Sequence, residues 1–412
     1  MLSNLINSES KILFNRNPRE RVAKVAPWLT LDGDPYPAII DGKILWIIDG
    51  YTTSSGYPNS RVVNLANTGD ALTSRSNAVS SLDDRNVNYI RNSVKATVDA
   101  YDGTVSLYQW DEKDPVLATW SKAFPGTVKP RSEISAELLA HVRYPEDMFR
   151  VQRDILSAYH VTTADAFYGG QDFWRVPLDP SSFGSNSGNQ PPYYLTMQIP
   201  GQSKPTFSLY TPFVPRGGRE NLTALAVVNS DAGDEYGKIT VLQLPRSTNI
   251  AGPSQVSSNF EAKPEVATSL SLLRQGGSDV VLGNLLTLPV GKGLLYVQPV
   301  YVRATGNTAA YPLLQKVLVS FGDQIGFSET LQGALDQVFG GNSGTTVSDN
   351  QQSTATPGGV GTSQAIRAAI SSLQAAYADL EAAQKRLDGA AEDKARARVK
   401  AAIAALISAQ NR

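Results

Sequence analysis

Residues 93–110 read SVKATVDAYDGTVSLYQW, a pattern typical of an antiparallel hairpin. Apolar and polar residues alternate over 94–100, which places successive side chains on opposite faces of a strand. Asp102-Gly103 then supplies the two residues of a tight turn, because both tolerate the positive φ that such turns require. Residues 105–110 follow as the second strand. The chain is therefore expected to contain antiparallel sheet.

Further strand signals lie on both sides of this hairpin. Residues 39–40 and 44–48 flank Asp41-Gly42 and predict a second tight hairpin. The polar stretch between the two hairpins, residues 52–84, predicts a long loop. Later apolar runs predict further strands at 193–198, 206–213, 222–229, 238–244, 279–282, 294–302 and 314–321.

Helical signals are interspersed with these strands. Ser8 is placed to cap a short first helix, and Pro18 opens a second one that stops before Pro27. Further helices are predicted within 132–160, where Ser132 caps the start and Pro145 opens a second piece, at 264–276, and at 328–339 before Gly340. Together the signals predict an α+β fold, with a mixed, mainly antiparallel sheet and packed helices.

Composition changes twice near the end of the chain. Residues 341–363 consist mostly of small polar residues and predict a disordered linker. Residues 364–412 are rich in alanine, with apolar residues at helical spacing on both sides of Asp388-Gly389, and predict an α-helical hairpin. The expected organisation is an N-terminal α+β subdomain, a main α+β body, the linker and the hairpin, at 1–130, 131–340, 341–363 and 364–412.

Composition excludes several classes of function. The chain has 412 residues, with 37 Lys and Arg against 38 Asp and Glu, hence a formal charge of -1. Nucleic acid is therefore not an expected partner, because phosphate binding requires a basic excess. Cysteine is absent and only two histidines occur, so thiolate chemistry and cysteine metal sites are excluded. The sequence indicates no cofactor, and no apolar run reaches the length of a membrane span.

A few residues are candidates for chemistry. His160 follows a predicted helix and could act as a general base, although a structural role is the more common one there. Asp172 and Asp179 lie among aromatic residues and could form the carboxylate pair of a hydrolase. Asp32 and Asp34 could contribute oxygen ligands to calcium, although turns rich in Asp and Gly are ordinary. None of these patterns identifies an enzyme, so a non-enzymatic role is favoured.

Several ordered motifs carry a family resemblance. They are YPED at 144–147, YHVT at 159–162, QPPYYL at 190–195, YGKI at 236–239, GPSQV at 252–256 and GNLLTLPVG at 283–291. With them, residues 1–340 resemble an uncharacterised family of large actinobacterial membrane proteins, family 0182. No agreed activity or catalytic residue comes with the resemblance.

The resemblance does imply an architecture. It implies membrane-spanning helices at the N-terminus and a large region on the extracytoplasmic side of the cell membrane, to which this chain would correspond. The expected function is binding of a lipid, an envelope ligand or a protein partner, or scaffolding, with self-association through the C-terminal helices. The alternatives are an envelope-directed carboxylate hydrolase and an accessory or collector domain of a transport pathway.

Overall fold

The structure is a computed structural model in which the chain divides into two compact units, Met1–Thr345 and Thr346–Arg412. In the second unit, residues 394–401 are helical. The elements below all belong to the first unit. The described residues are 14–68, 85–181, 188–245, 247, 249–275, 277–291, 293–305, 311–341 and 394–401.

Strands make up most of the first unit. In chain order they are β1 (Thr30–Leu31), β2 (Tyr36–Ile40), β3 (Lys43–Ser54), β4 (Val63–Asn64), β5 (Asn86–Val87), β6 (Tyr89–Asp99), β7 (Val105–Gln109), β8 (Val128–Lys129), β9 (Trp174–Arg175), β10 (Tyr193–Met197), β11 (Thr206–Pro215), β12 (Ala224–Asn229), β13 (Ile239–Gln243), β14 (Ser278–Leu282), β15 (Leu286–Val290), β16 (Gly293–Ala304), β17 (Leu313–Phe321) and β18 (Gln324–Ser328).

Helices connect and cover the strands. They are α1 (Pro18–Val25), α2 (Leu65–Thr68), α3 (Pro115–Ala123), α4 (Ala136–His141), α5 (Glu146–Tyr159), α6 (Ala164–Tyr168), α7 (Pro253–Ala262), α8 (Pro264–Leu273) and α9 (Leu331–Phe339). Among the described residues, none of these helices is long and apolar enough to cross a membrane.

The longer strands form three sheets. The first has the order β1-β3-β6-β7-β8 with β2 also beside β3, the second has the order β10-β11-β12-β13 with β9 beside β11, and the third has the order β14-β16-β17-β18 with β15 beside β16. β4 and β5 form a short separate ribbon. The pairs are antiparallel apart from β7 with β8, which are parallel. The predicted α+β fold with mainly antiparallel sheet is confirmed.

The largest core cluster lies where α5 packs between the first two sheets. It includes Tyr51 from β3, Phe149 from α5 and Phe213 from β11, each fully buried. Burial of large apolar side chains from three elements removes them from water together, which fixes α5 against both sheets. The buried α5 members of the cluster are Met148, Phe149 and Val151, so packing fixes chiefly the first half of the helix.

The polar face of β6 is also buried. Lys95 is 1% exposed and forms an ion pair with Asp49, which is 3% exposed. The Lys95 ammonium also donates to the Arg143 carbonyl at 3.1 Å and to the Tyr236 hydroxyl at 3.0 Å. Desolvation raises the pKa of Asp49 and lowers the pKa of Lys95. The pair is retained in the core because each charge has several partners.

Most local predictions from turns and caps are confirmed. β2 and β3 form a tight hairpin around Asp41-Gly42, both of which have positive φ. β6 and β7 form the other predicted hairpin, but β6 ends at Asp99 and β7 begins at Val105, so the two-residue turn predicted at Asp102-Gly103 is a longer loop, in which Gly103 has a φ of 75°. α1 begins at Pro18, as the sequence indicates. α9 ends at Gly340, whose φ of 76° is the left-handed conformation that glycine supplies at helix ends.

Some sequence-based assignments were wrong. Residues 52–84 are not one loop, because β3 continues to Ser54 and β4 and α2 lie within the stretch, while residues 69–84 fall outside the described part. Ser132 lies in a 3-10 turn, and Ser135 caps α4 instead by accepting from the Leu138 amide at 3.1 Å.

α3, α6, α7, β15, β18 and the two-residue strands were not anticipated. The helix capped by Ser8, the linker and most of the tail lie outside the described residues, and the four domain boundaries stay predictions.

Candidate functional site

A cavity of about 530 Å³ lies beside α5, within the size range of small-ligand sites. One wall comes from α5, and the opposite wall comes from β9 and the residue that follows β11. Among the described residues, its lining contains five arginines and one carboxylate. The lining consists of Arg61, Arg150, Arg153, Asp154, Ser157, Ala158, Tyr159, Phe167, Phe173, Trp174, Arg175, Val176, Asn189 and Arg216.

α5 presents its polar stripe to this cavity. Pro145 precedes the helix and two acidic residues occupy its first turn, where negative charge favours helix formation. Arg150, Arg153, Asp154 and Ser157 follow at spacings of three, one and three residues, so they share one face of the helix. Two arginines of one helix are thereby directed into the same space.

Three of the five arginines are held by the protein itself. Arg150 donates hydrogen bonds to Glu146 and Asp147, and Arg175 donates to Glu220. Arg153 is buried and donates to the Gln190 carbonyl at 3.0 Å and to the Thr211 hydroxyl at 3.2 Å. Their guanidinium groups are therefore fixed in position as parts of the cavity wall.

The other two arginines rest on aromatic rings. Arg61 lies 5.9 Å from the centroid of the Tyr159 ring, and Arg216 lies 5.9 Å from that of Phe173. In the part of the chain that the structure describes, neither guanidinium pairs with a carboxylate. Both side chains are exposed, so their charge is available to a ligand that enters the cavity.

Aromatic side chains form a continuous edge around the arginines. Tyr159 packs on Phe167 with ring centroids 5.2 Å apart, and Phe167 packs on Phe173 at 5.3 Å. Trp174 is buried behind them against Phe213. This edge lowers the local access of water, which strengthens attraction between the guanidinium groups and an anion.

His160 lies behind the cavity wall. Its Nδ1 is 2.8 Å from the Leu156 carbonyl oxygen and its Nε2 is 3.0 Å from the Asp172 carbonyl oxygen. The ring also stacks on Trp174, with centroids 3.4 Å apart. His160 thus ties the end of α5 to the strand that carries Trp174, and it is absent from the described lining.

The two carboxylates proposed for hydrolysis also lie outside the described lining. Asp172 sits in a turn with a φ of 63°, just before Phe173. Asp179 is buried and accepts from the Ser181 amide at 3.0 Å and from its hydroxyl at 2.8 Å. Their roles in the described structure are a turn and a loop, and hydrolysis stays an untested prediction.

The calcium candidates belong to the buried network near β3. Asp32 accepts from the Tyr51 hydroxyl and from the Asp34 amide, the latter at 2.8 Å. Asp34 forms an ion pair with Arg143 at 2.6 Å. Within the described ranges, no group of three or more potential ligand side chains is arranged to hold a metal ion. Calcium binding by these residues stays a prediction.

Sequence reasoning missed the arginine cavity. Its residues are separated by more than 150 positions between Arg61 and Arg216, and no motif connects them. One signal was present, since Arg150, Arg153 and Asp154 interrupt the apolar pattern of α5 on a single face. A charged stripe on a helix is more often a solvated surface, so the signal becomes informative only when the opposite wall is known.

Comparison with known proteins identifies a family without an assigned function. Residues 1–273 match the family described as "Uncharacterised protein family (UPF0182)". A UPF0182 protein of Leifsonia xyli subsp. xyli is 48% identical, with all of this chain and 46% of that protein covered. A UPF0182 protein of Thermobifida fusca is 56% identical, with 83% of this chain and 34% of that protein covered.

A third relative gives the same result. A UPF0182 protein of Paenarthrobacter aurescens is 53% identical, with 87% of this chain and 37% of that protein covered. The chain spans less than half the length of these curated relatives. No solved structure matches the chain. The family match and the high identity to these actinobacterial relatives agree, and the chain belongs to the uncharacterised protein family UPF0182.

Proposed function

We propose that this chain is a binding module whose arginine-lined cavity takes an anionic ligand. The observation that carries the proposal is a described lining with five arginines and one carboxylate, in which Arg61 and Arg216 are exposed and pair with no carboxylate of the described residues. Guanidinium groups match the planar geometry of phosphate and carboxylate groups, and they keep their charge at any physiological pH. The two exposed arginines complete the site, because their side chains can reorient onto a ligand.

The proposal includes a cellular location. This region would lie on the extracytoplasmic side of the cell membrane and be joined to membrane-spanning helices, where its ligand would be a lipid or another envelope component. Two observations support this proposal: the sequence motifs resemble a membrane protein family, and more than half of each relative's length lies outside the match.

Calorimetric titration with inorganic pyrophosphate tests the cavity. Arg216→Ala and Arg61→Ala are the informative variants, because neither leaves a buried carboxylate without its partner. We expect each substitution to weaken binding about tenfold, the effect of losing one charge-assisted hydrogen bond. The affinity is also expected to fall as salt is added, because the attraction is electrostatic.

Arg303→Ala provides the matched control. Arg303 is a half-exposed arginine that pairs with Asp279 and lies outside the described lining. Its loss changes the net charge by the same amount, and pyrophosphate affinity should stay as in the unaltered protein. Equal weakening by Arg303→Ala and Arg216→Ala would show that the binding is nonspecific and would contradict the proposal.

A further inference from the structure

A second cleft adjoins the arginine cavity. Its volume is about 550 Å³, and it lies between α5 and the residues within 57–63 and 87–91. Arg61 and Tyr159 line both spaces. The two spaces therefore meet at the contact between the Arg61 guanidinium and the Tyr159 ring, and both of these side chains are exposed.

α5 presents a different face to each of the two spaces. The cavity receives the polar stripe described above, whereas the cleft receives Val151, Ile155 and Tyr159, which are spaced four residues apart. Residues four apart lie on one face of a helix, so the two stripes run side by side along α5. One helix thus carries a cationic surface and an apolar surface in direct succession.

The far wall of the cleft is mixed, with apolar side chains interspersed among polar ones such as Asn88 and Arg91. Val63, Val87 and Ile90 line it, and the rings of Tyr57 and Tyr89 stack at its side with centroids 5.4 Å apart. Val87 and Val151 also belong to the largest core cluster and are buried, so the floor of the cleft is the outer edge of that core. An apolar group in the cleft would be removed from water on both sides.

We infer that the ligand is an anionic amphiphile with its charged head in the arginine cavity and its hydrocarbon chain in the adjoining cleft. The inference rests on the proposed function, since it assigns the anion to the same cavity. Charge complementarity places the head among the guanidinium groups, and apolar complementarity places the chain along Val151 and Ile155. The hydrocarbon chain of the ligand passes from the cavity into the cleft beside Tyr159.

Titration of the full 412-residue chain with ethyl phosphate and octyl phosphate tests the inference. Both carry the same head, and octyl phosphate is used below the concentration at which it forms micelles. We expect octyl phosphate to bind at least about tenfold more tightly, because burial of each methylene adds affinity. Octanol, which lacks the charge, should bind more weakly than octyl phosphate.

Variants of the cleft locate the hydrocarbon chain. Ile155→Ala should reduce the affinity for octyl phosphate about fivefold while ethyl phosphate binds as before. Tyr57→Ala is a second variant, and because its ring is 54% exposed its loss should leave folding intact. Leu272→Ala on α8 is the matched control, since Leu272 is exposed and lies outside the described lining of both spaces.

The outcomes separate the two proposals. Equal affinity for ethyl phosphate and octyl phosphate would overturn the inference that the ligand is an amphiphile, while the proposed anion site would remain. The inference would also be overturned if neither Ile155→Ala nor Tyr57→Ala reduced the preference for octyl phosphate, because the hydrocarbon chain would then bind outside the cleft. Failure of ethyl phosphate, octyl phosphate and pyrophosphate to bind would instead overturn the proposed function itself.

Discussion

Asp147, at the first turn of α5, couples the stability of the fold to pH. The residue is 5% exposed, and its carboxylate accepts from the Gly33 amide at 2.8 Å and lies 3.5 Å from an Arg150 nitrogen. Desolvation, together with the negative charge of Asp32, raises its pKa to about 8. The nearby Glu146 carboxylate acts in the same direction as Asp32, and the Arg150 guanidinium acts against them.

The raised pKa predicts that stability falls as pH rises. In the unfolded chain Asp147 loses its proton near pH 4, whereas in the folded protein it keeps the proton up to about pH 8. Between these values the folded state binds more protons, so the free energy of unfolding declines by up to about 1 kcal/mol per pH unit. Asp147→Asn should make this decline shallower.

Urea unfolding at pH 5, 6, 7 and 8 measures the slope. Asp279→Asn serves as the control, because Asp279 is half-exposed and pairs with Arg303 at the surface. A slope in Asp147→Asn that equals the slope of the unaltered protein would contradict this assignment.

Lys95 shows what sequence patterns reveal about single residues and what they miss. The alternation along β6 correctly assigns Lys95 and Thr97 to one face and Val94 and Ala96 to the other. The structure buries both faces, and on the polar one the Lys95 ammonium is covered by the Arg143 carbonyl and the Tyr236 hydroxyl. Alternation reports the geometry of one strand, and it carries no information about what packs on its polar side.

Gly326 controls how closely α9 approaches β18. A Cβ at this position would overlap the carbonyl oxygen of Ala334 and would lie 3.1 Å from a Val338 methyl carbon. Because the obstructing atom belongs to a helix backbone, the helix must shift to make room. Gly326→Ala should therefore lower the free energy of unfolding by about 1–3 kcal/mol, the cost of overpacking.

Gly233→Ala is the control for this prediction. A Cβ at Gly233 meets nothing within 4 Å, so this substitution should change the free energy of unfolding by less than about 0.5 kcal/mol. Chemical denaturation of both variants gives the comparison. If both show the same stability, the contact between α9 and β18 does not depend on the missing side chain.

Element boundaries follow local signals where those signals are strong. Pro18 starts α1, because its fixed φ suits the first turn of a helix and its missing N–H is not needed there. Gly340 ends α9, because glycine adopts the left-handed conformation that closes a helix. α7 ends at Ala262, two residues before Pro264, and its apolar residues are sparse, so its pattern is weak. The candidate site has no comparable local signal, because its walls come from distant parts of the sequence and meet only through tertiary packing.

The core clusters at the scale of the whole molecule predict that the first unit folds alone. Each described hydrophobic cluster consists of residues from Met1–Thr345. A chain that ends at Thr345 should therefore unfold in one cooperative transition, with a Tm within about 3 °C of the full chain. A broad transition, or a much lower Tm, would show that residues 346–412 support this core.

Self-association is the property that the same truncation should change. The sequence predicts two helices with narrow apolar seams in the tail, and two such helices bury little surface by themselves. We therefore expect light scattering to give a multiple of the 44.3 kDa monomer for the full chain and a monomer for residues 1–345. Identical oligomeric states would exclude the tail as the element that assembles the protein. Because both species retain the arginine cavity, pyrophosphate titration of each confirms that truncation has left the site intact, so a change in mass reports on the tail alone.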